Sequence, residues 1–506
     1  MKQIDDIFFE DLYNIQVICV YGQGNESFYS FLKEWIKENE ERQIIFLEDD
    51  KEKYSILKKC IDKDFQNKNI KDFLIEDDLE TNLKQIAWNC VYLNLKIVKS
   101  SSEKRNERFK NTSDILYELH IGANLTSYLY SDFGIKIFEN VYNNLIKTDH
   151  FILFEPLHNQ FKNIPAIIAG AGPSLDKNIH LLNEAYDKAL IFVGGSALNI
   201  FSKRNIRFHF AASIDQSHLF KRFKNNYFFE NVFFYTNQIS HHNLSIVHGN
   251  KVLLSDYGAY PLKSWIYNKL SIKQKIFEGG WNVTTFLIKL ASFLGCKPIY
   301  FVGMDLCYKK NKYAKGVVKS NKKYDLIKVK DINGNITFTQ NDWILAKKWI
   351  EEFSILNRDK KFINATEGGL KIENVENLKL LDELNNLKQS LDLHGYIHSI
   401  YENQKRIKFK KSQVIEILQI IKESFKRSDV ICDEYLFELK QNDLDENLMK
   451  FQKEVVYIYL LDPMWQIWKY VILRKVEKNK FHILINKLLF FKNVIINHLE
   501  LLEKII

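Results

Sequence analysis

Apolar and polar positions change period along the chain, and the changes divide it. Up to about residue 105, short apolar runs alternate with segments of helical period. Residues 16–24 (QVICVYGQG) predict a strand running into a glycine turn. Residues 27–39 predict a helix, 42–50 (RQIIFLEDD) a second strand, and 72–78 (DFLIEDD) a strand ending in acids. Residues 106–160 read as helices and connector. Near-continuous apolar runs follow: PAIIAG (165–170), LIFVGG (190–195), FHFAASID (208–215), VFFYTN (232–237), VLLSD (252–256), PIYFVGMD (298–305) and FINAT (362–366). Helical segments such as 282–295 and 343–356 separate several of them. Strands apolar on both faces, alternating with helices, predict a mostly parallel sheet covered on both sides. Beyond about 380 the strand signal fades. Leu484, Leu488, Phe491, Ile495, Leu499 and Leu502 recur every three or four residues, an amphipathic helix with one apolar stripe.

The fold class predicted is therefore α/β. A Rossmann-like lobe occupies 1–105 and a helical connector 106–160. A central, doubly wound Rossmann domain spans 161–378, and an α-helical bundle 379–506. No repeat of fixed period is visible. A chain of 506 residues exceeds one ordinary core. Hydrophobic residues at 46% and charged residues at 27% describe a soluble globular protein.

A net charge of +9 suits anionic ligands. Lysines look interspersed with acids and no nucleic-acid motif appears, so nucleic acid is not expected as a partner. The six cysteines form no CxxC pair and sit in apolar runs, which points to reduced core thiols rather than disulfides or zinc. The opening MKQIDDIFFEDLYN has acids where a secretory signal needs an apolar core. Asp462 and Pro463 interrupt one apolar stretch of the tail, and Lys487 and Lys492 another, so neither is long enough to span a bilayer. The expected location is the cytoplasm.

Ligands of open parallel sheets bind beyond the carboxyl ends of the strands. Those ends carry Gly170, Ala171, Gly172, Pro173 and Ser174, then Gly194, Gly195 and Ser196, then Asp215, Asn237, and finally Gly303 and Asp305. Small residues admit a ligand close to the backbone, and the polar ones can bond ribose, base or phosphate. Ser174 opens a helix, where free N–H groups suit a phosphate, although a plain N-cap has the same appearance. Gly279, Gly280, Asn282, Thr284 and Thr285 mark a second helix start. In the N-terminal lobe the glycine turn lacks a third glycine, Ser27 standing in its place, which favours a lobe without ligand.

The segments IIAGAGPSLD (167–176), GGWNVTTFLIKLASFLGCKPIYFVGMDLCY (279–308) and NATEGG (364–369) resemble the central domain of the Maf (motility-associated factor) flagellin glycosyltransferases. Their order also resembles bacterial sialyltransferases that use CMP-sialic acid, and the resemblance covers about residues 160–370. It implies an MptE-like, sialyltransferase-like central domain that moves a nonulosonic acid, such as pseudaminic or legionaminic acid, from a CMP donor to Ser or Thr of flagellin. Flagellin and the CMP-sugar are thus the implied partners. Gly170, Gly172, Pro173 and Ser174 would border phosphate and ribose. Gly195, Ser196 and Asp215 would flank cytidine, Asn282 and Thr284 would meet phosphate, and Gly303 and Asp305 would hold ribose or base. No cofactor or metal is expected, and the one Asp-x-Asp (Asp443, Asp445) lies in the helical tail.

The chain departs from the family in two places. Phe208 and His209 stand where Pro-Asp is usual, and residues 312–315 (KYAK) replace a segment that often holds histidine. No general base is assigned, with Glu367 and His209 as candidates and His218, His241, His242 and His248 nearby. Two alternatives remain: an MptE-like 6-hydroxymethylpterin diphosphokinase, and a flagellin-binding scaffold without catalysis.

Overall fold

The computed structural model describes residues 12, 14–65, 69–75, 79–100, 106–148, 150–216, 232–255, 260–273, 275–308, 326–387, 390–438, 449–475 and 479–506. His218, residues 312–315 and the Asp443/Asp445 pair lie outside them, as does most of the opening segment. The chain divides into two compact units, Met1–Asp132 with Trp465–Lys487, and Phe133–Met464 with Leu488–Ile506.

In the first unit, β1 (Val17–Tyr21), β2 (Gln43–Glu48), β3 (Ile70–Leu74) and β4 (Leu95–Lys99) form a parallel sheet in the order β3-β2-β1-β4. Every residue of β1 is buried, as a strand packed on both faces requires. The helix Glu26–Lys37 starts at Asn25, whose side chain accepts from Phe28 N, and it buries Tyr29, Leu32, Trp35 and Ile36 on one stripe. That stripe joins one apolar cluster of the sheet. Leu83, Ile86, Ala87, Leu116 and Ala123 join the cluster formed around Val17, Cys19 and Tyr21. The strand β4, LKIVK, escapes a search for apolar runs because lysines alternate with its apolar residues.

The second unit is built on a nine-stranded sheet. Its strands are β5 (Ile152–Leu153), β6 (Ala166–Ala169), β7 (Leu190–Gly194), β8 (Phe210–Ser213), β9 (Val232–Thr236), β10 (Lys251–Leu254) and β11 (Ile299–Val302). A separate antiparallel hairpin, β12 (Ile327–Lys330) and β13 (Ile336–Thr339), precedes the last two, β14 (Phe362–Asn364) and β15 (Glu376–Asn377). The order is β15-β14-β11-β6-β7-β8-β9-β10-β5, and all its pairings are parallel. Strands β6, β7, β8, β9 and β11 are buried at every residue. Apolar area leaving water on both faces, at about 25 cal/mol per Å², is the main force holding this layer.

The α/β fold with parallel sheets is as the sequence predicts. The hairpin and the two-residue edges β5 and β15 are additions, too short or too polar to stand out in the pattern. Helices Leu393–Glu402 and Lys411–Glu438 follow, the latter of 28 residues, and Lys480–Ile505 ends the chain. Among the described residues no helix is long and apolar enough to cross a membrane.

A candidate site at the strand switch point

From β6 the chain moves outward through β7, β8, β9 and β10, then returns to lay β11 and β14 on the other flank of β6. Strand order therefore reverses between β6 and β11, and at such a point the loops leaving the two strands diverge and open a crevice. The loops here are residues 170–174 and 303–308.

These loops brace one another. Gly170 N donates to Val302 O at 2.8 Å, and Gly172 N donates to Gly303 O at 2.8 Å. Asp305 Oδ2 accepts from Ser174 N at 3.1 Å and from Ser174 Oγ at 2.6 Å. The glycines follow from this crossing. A Cβ on Gly172 would stand 2.0 Å from Asp305 Oδ2, and one on Gly303 would stand 2.7 Å from Gly170 O. Gly303 also has φ +64°, a conformation that side chains disfavour.

A third segment, residues 364–370, closes the brace. Thr366 Oγ1 accepts from Met304 N at 3.2 Å, and Leu370 N donates to Asp305 O at 2.8 Å. Asp305 is only 5% exposed, and burial raises its pKa above the ordinary carboxylate value, against the lowering pull of the Ser174 bonds and of Lys177.

This geometry changes the expected role of the first loop. The helix after Ser174 has four residues, Leu175–Asn178, and Ser174 makes no side-chain cap on it. The N–H groups of Gly170, Gly172 and Ser174 already have protein acceptors. The loop is a brace for Asp305, and Ser174 donates its proton to that carboxylate. Pro173 lies between the two anchors.

The second helix start is adjacent to the end of β7. The methyls of Val283 pack over the Gly194–Gly195 turn, where a Cβ would fall 2.5 Å and 3.0 Å from them. Gly195 (φ +54°) leads into the helix Ser196–Lys203. Asn282 accepts from Thr284 N at 2.9 Å and Thr285 N at 3.0 Å, while Thr285 Oγ1 accepts from Asn282 N at 3.0 Å, a reciprocal cap. Asn282 Oδ1 is therefore committed to its helix. The side chain of Thr284 is half-buried beside it.

The ends of β8 and β9 hold Asp215 and Asn237, which the sequence singles out, and other polar residues that it does not. Asp215 follows β8 and is half-buried. From the helix Asn106–Lys147, Asn140 Nδ2 donates to Gln238 O at 2.7 Å and Gln216 O at 3.3 Å. One turn on, Asn144 Nδ2 donates to Asn237 O at 3.0 Å and Ile239 O at 2.8 Å. Two asparagines four residues apart in a helix otherwise apolar on that side were the only hint in the sequence. Ser213 Oγ, Thr236 Oγ1 and both side-chain polar atoms of Asn243 are buried with no hydrogen-bond partner among the described residues. Buried polar groups left so cost about 1–3 kcal/mol each, so this end of the sheet suits a polar ligand or ordered water.

Of the two candidate bases, His209 stands elsewhere and Glu367 lies in the segment that closes the brace. His209 precedes β8, at the amino end of the sheet and opposite the strand ends just described. Its Nδ1 accepts from Ile191 N at 2.9 Å, and its ring stacks on Tyr186 at 4.2 Å. Burial, then Arg207 and His394, lower its pKa to about 3. Glu367, at φ +56°, forms the turn after β14. Its carbonyl accepts from Lys177 Nζ at 2.7 Å, and its carboxylate from Leu380 N at 3.3 Å. His241 is half-buried, and burial first, then Lys147, His242 and Lys251, lower its pKa to about 4.

Residues 139–311 match the family described as 6-hydroxymethylpterin diphosphokinase MptE-like. Among solved structures, the chain is similar to the Maf glycosyltransferase from Magnetospirillum magneticum AMB-1. The TM-score is 0.53 and the identity 11%, with 97% of this chain and 78% of that one covered. No curated protein matches. At that identity the likeness is one of fold. It extends the resemblance carried by the motifs to nearly the whole chain, with an MptE-like segment at its centre.

Proposed function

We propose that the protein is a glycosyltransferase that moves a nonulosonic acid from a CMP donor to hydroxyl groups of a protein acceptor, flagellin by the family resemblance. The observation that carries this reading is the Maf-like fold over nearly the whole chain, with the glycine loops of the resemblance meeting at its switch point. The cytidine would sit along the ends of β7, β8 and β9, where Ser196, Asp215 and Ser213, Thr236 and Asn243, the last three without side-chain partners among the described residues, offer bonds. The phosphate would approach Ser196 and Thr284.

Breaking the bond from the anomeric carbon to phosphate leaves charge on CMP and makes the sugar oxocarbenium-like. Hydroxyls fixed beside that phosphate bond it more strongly in the transition state than in the ground state. Asp305, braced by Ser174, holds the crevice open rather than taking a proton. Transfer is expected to invert the anomeric centre and to need no metal, since a monophosphate leaving group carries less charge than a diphosphate. The acceptor proton would go to a base that these residues do not identify.

A second reading is favoured by the description of the matching family: diphosphate transfer from ATP to a hydroxymethylpterin. The strand ends offer little for it, because the buried carboxylate Asp305 is already bonded to Ser174. Intact mass of flagellin from cells with and without the protein tests the first reading. A mass decrease equal to whole nonulosonic acid residues is expected on deletion. Unchanged flagellin, together with ATP-dependent pterin diphosphate formation by the purified chain, would establish the second.

A further inference from the structure

The hairpin β12–β13 is fastened to the loops of the candidate site. Tyr308 N donates to Phe338 O at 2.7 Å, Thr339 Oγ1 to Leu306 O at 2.7 Å, and Ile332 N to Gly369 O at 2.8 Å. Its turn is closed by Asp331, which accepts from Asn333 N at 2.9 Å and Asn335 N at 2.8 Å. Inward residues Ile327, Val329, Thr337 and Thr339 are at least partly buried. The outward face is made of Lys328 opposite Phe338 and Lys330 opposite Ile336, all exposed, Ile336 to 62% and Phe338 to 38%.

Charge is not evenly spread along the chain, contrary to the expectation of interspersed lysines and acids. Residues 309–330 contain nine lysines and one aspartate, a net +8 where the whole chain carries +9. The hairpin begins inside this stretch. Lysines on an exposed strand can serve merely to prevent edge pairing, but that role does not call for Ile336 and Phe338 on the same face.

We propose that this outward face docks an acidic protein segment in extended conformation, with apolar side chains among its acids. The inference rests on the transferase reading only in taking that segment to be part of the acceptor. Lys328 and Lys330 are two residues apart on one strand, roughly 7 Å, which is the spacing of alternate side chains on an extended peptide. Ile336 and Phe338 repeat that spacing in the adjacent row, so charge and apolar contact can be satisfied together. A phosphate backbone would use the lysines and leave the apolar row in water. Docking here brings the segment beside the loops of Asp305 and Glu367.

The test uses the full chain and a short fluorescein-labelled peptide alternating Glu and Val, read by anisotropy. Anionic phosphatidylserine vesicles and a single-stranded oligonucleotide are run in parallel, and CMP-induced thermal shift is measured for each variant. The peptide is expected to bind, more weakly as salt rises. Lys328→Glu/Lys330→Glu and, separately, Ile336→Ser/Phe338→Ser should each weaken it about tenfold without changing the CMP shift. The proposal is overturned if the peptide does not bind, or if either double variant binds it as well as the native chain. It is equally overturned if the substitutions abolish vesicle or oligonucleotide binding and spare the peptide. Loss of the CMP response in the native chain would instead count against the transferase reading and leave the docking measurement standing.

Discussion

The two parallel sheets of this protein look alike in outline and differ at their strand ends. Each has a central strand followed by a glycine turn, and each reverses strand order beside it, between β1 and β4 in the first and between β6 and β11 in the second. At the first, the protein's own side chains return to seal the turn. Gly24 N donates to Tyr29 Oη at 3.1 Å, Ser100 Oγ donates to Gln23 O at 2.7 Å, and Tyr21 Oη donates to Asp49 Oδ2 at 2.8 Å. Glu48 Oε1 accepts from Asp49 N and Asp50 N. At the second, backbone braces backbone around Asp305, and buried hydroxyls and amides along β8 and β9 remain without partners among the described residues. A glycine turn after a strand therefore does not by itself mark a site. What distinguishes the two is whether nearby side chains already fill the polar positions.

Acid should separate the sheets most strongly. His498, in the second unit, is fully enclosed between Phe425 and Phe138, and burial lowers its pKa to about 3, as for His209. A histidine whose folded pKa lies below its unfolded value of 6.5 binds fewer protons when folded. Its contribution to stability is intact above pH 6.5 and is lost as pH falls toward 3. A tenfold difference in proton affinity between folded and unfolded chain is worth about 1.4 kcal/mol, so each histidine costs on the order of 3 kcal/mol by pH 4. Hydrogen exchange should show β6–β9 losing protection between pH 6 and 4 before β1 and β2, and His498→Phe should move the loss to lower pH. Simultaneous loss in both sheets at unchanged pH in the variant would contradict this account.

Next in size is a methyl group added to each glycine turn. Gly172→Ala places Cβ against the Asp305 carboxylate and the Gly303 carbonyl, so a buried, hydrogen-bonded side chain and a backbone carbonyl must both give. A cost of about 3 kcal/mol is expected. Gly24→Ala meets the half-buried Phe28 ring at 2.6 Å, where a side chain rather than a backbone carbonyl must give, and about 1 kcal/mol is expected. Thermal melting of both variants checks the order, and equal losses would mean that the switch-point brace is no tighter than the sealed turn.

Much of this was legible in the sequence. The runs AIIA, LIFVG, FAAS, VFFYT and IYFV are apolar at nearly every position because both faces are covered, and such strands announce themselves. LKIVK and the IKVK/ITFT hairpin do not, since one face meets water and lysine breaks the run. The candidate site residues were picked by type, and the structure shows which of them meet. Gly172, Ser174, Gly303 and Asp305 do converge, yet a serine at a helix start points to a ligand phosphate when only its neighbours in sequence are considered. Only a pairing 131 positions apart, with Asp305, reveals its partner. Asn140 and Asn144 went unread because their acceptors are main-chain carbonyls, which carry no sequence signature.

A third contrast concerns ligand. CMP should protect the ends of β7, β8 and β9 and leave residues 17–25 unchanged, whereas ATP should protect neither. At a hundredfold excess over the dissociation constant, binding to the folded state alone adds about 2.7 kcal/mol. Hydrogen exchange with and without each nucleotide gives the answer, and protection at residues 17–25 would reverse the assignment of the sealed turn.

The smallest effect compares two serines that perform similar tasks in the two sheets. Ser100 Oγ donates to the Gln23 carbonyl, and Ser174 Oγ donates to the Asp305 carboxylate; both serines are buried. A bond between neutral groups is worth about 1 kcal/mol, and one to a charged group about 1.5–3 kcal/mol. Ser100→Ala should therefore cost about 1 kcal/mol and leave CMP binding unchanged. Ser174→Ala should cost about 2 kcal/mol, and it removes a bond that lowers the Asp305 pKa against burial, so Asp305 should take up a proton at higher pH than in the native chain. The added loss is then larger at higher pH and shrinks as pH falls and Asp305 becomes protonated in both proteins. Melting curves of the two variants at pH 5 and pH 7.5 measure it. A loss at Ser174 equal to that at Ser100, and independent of pH, would mean that Asp305 is already protonated and that the switch point is held by shape rather than charge.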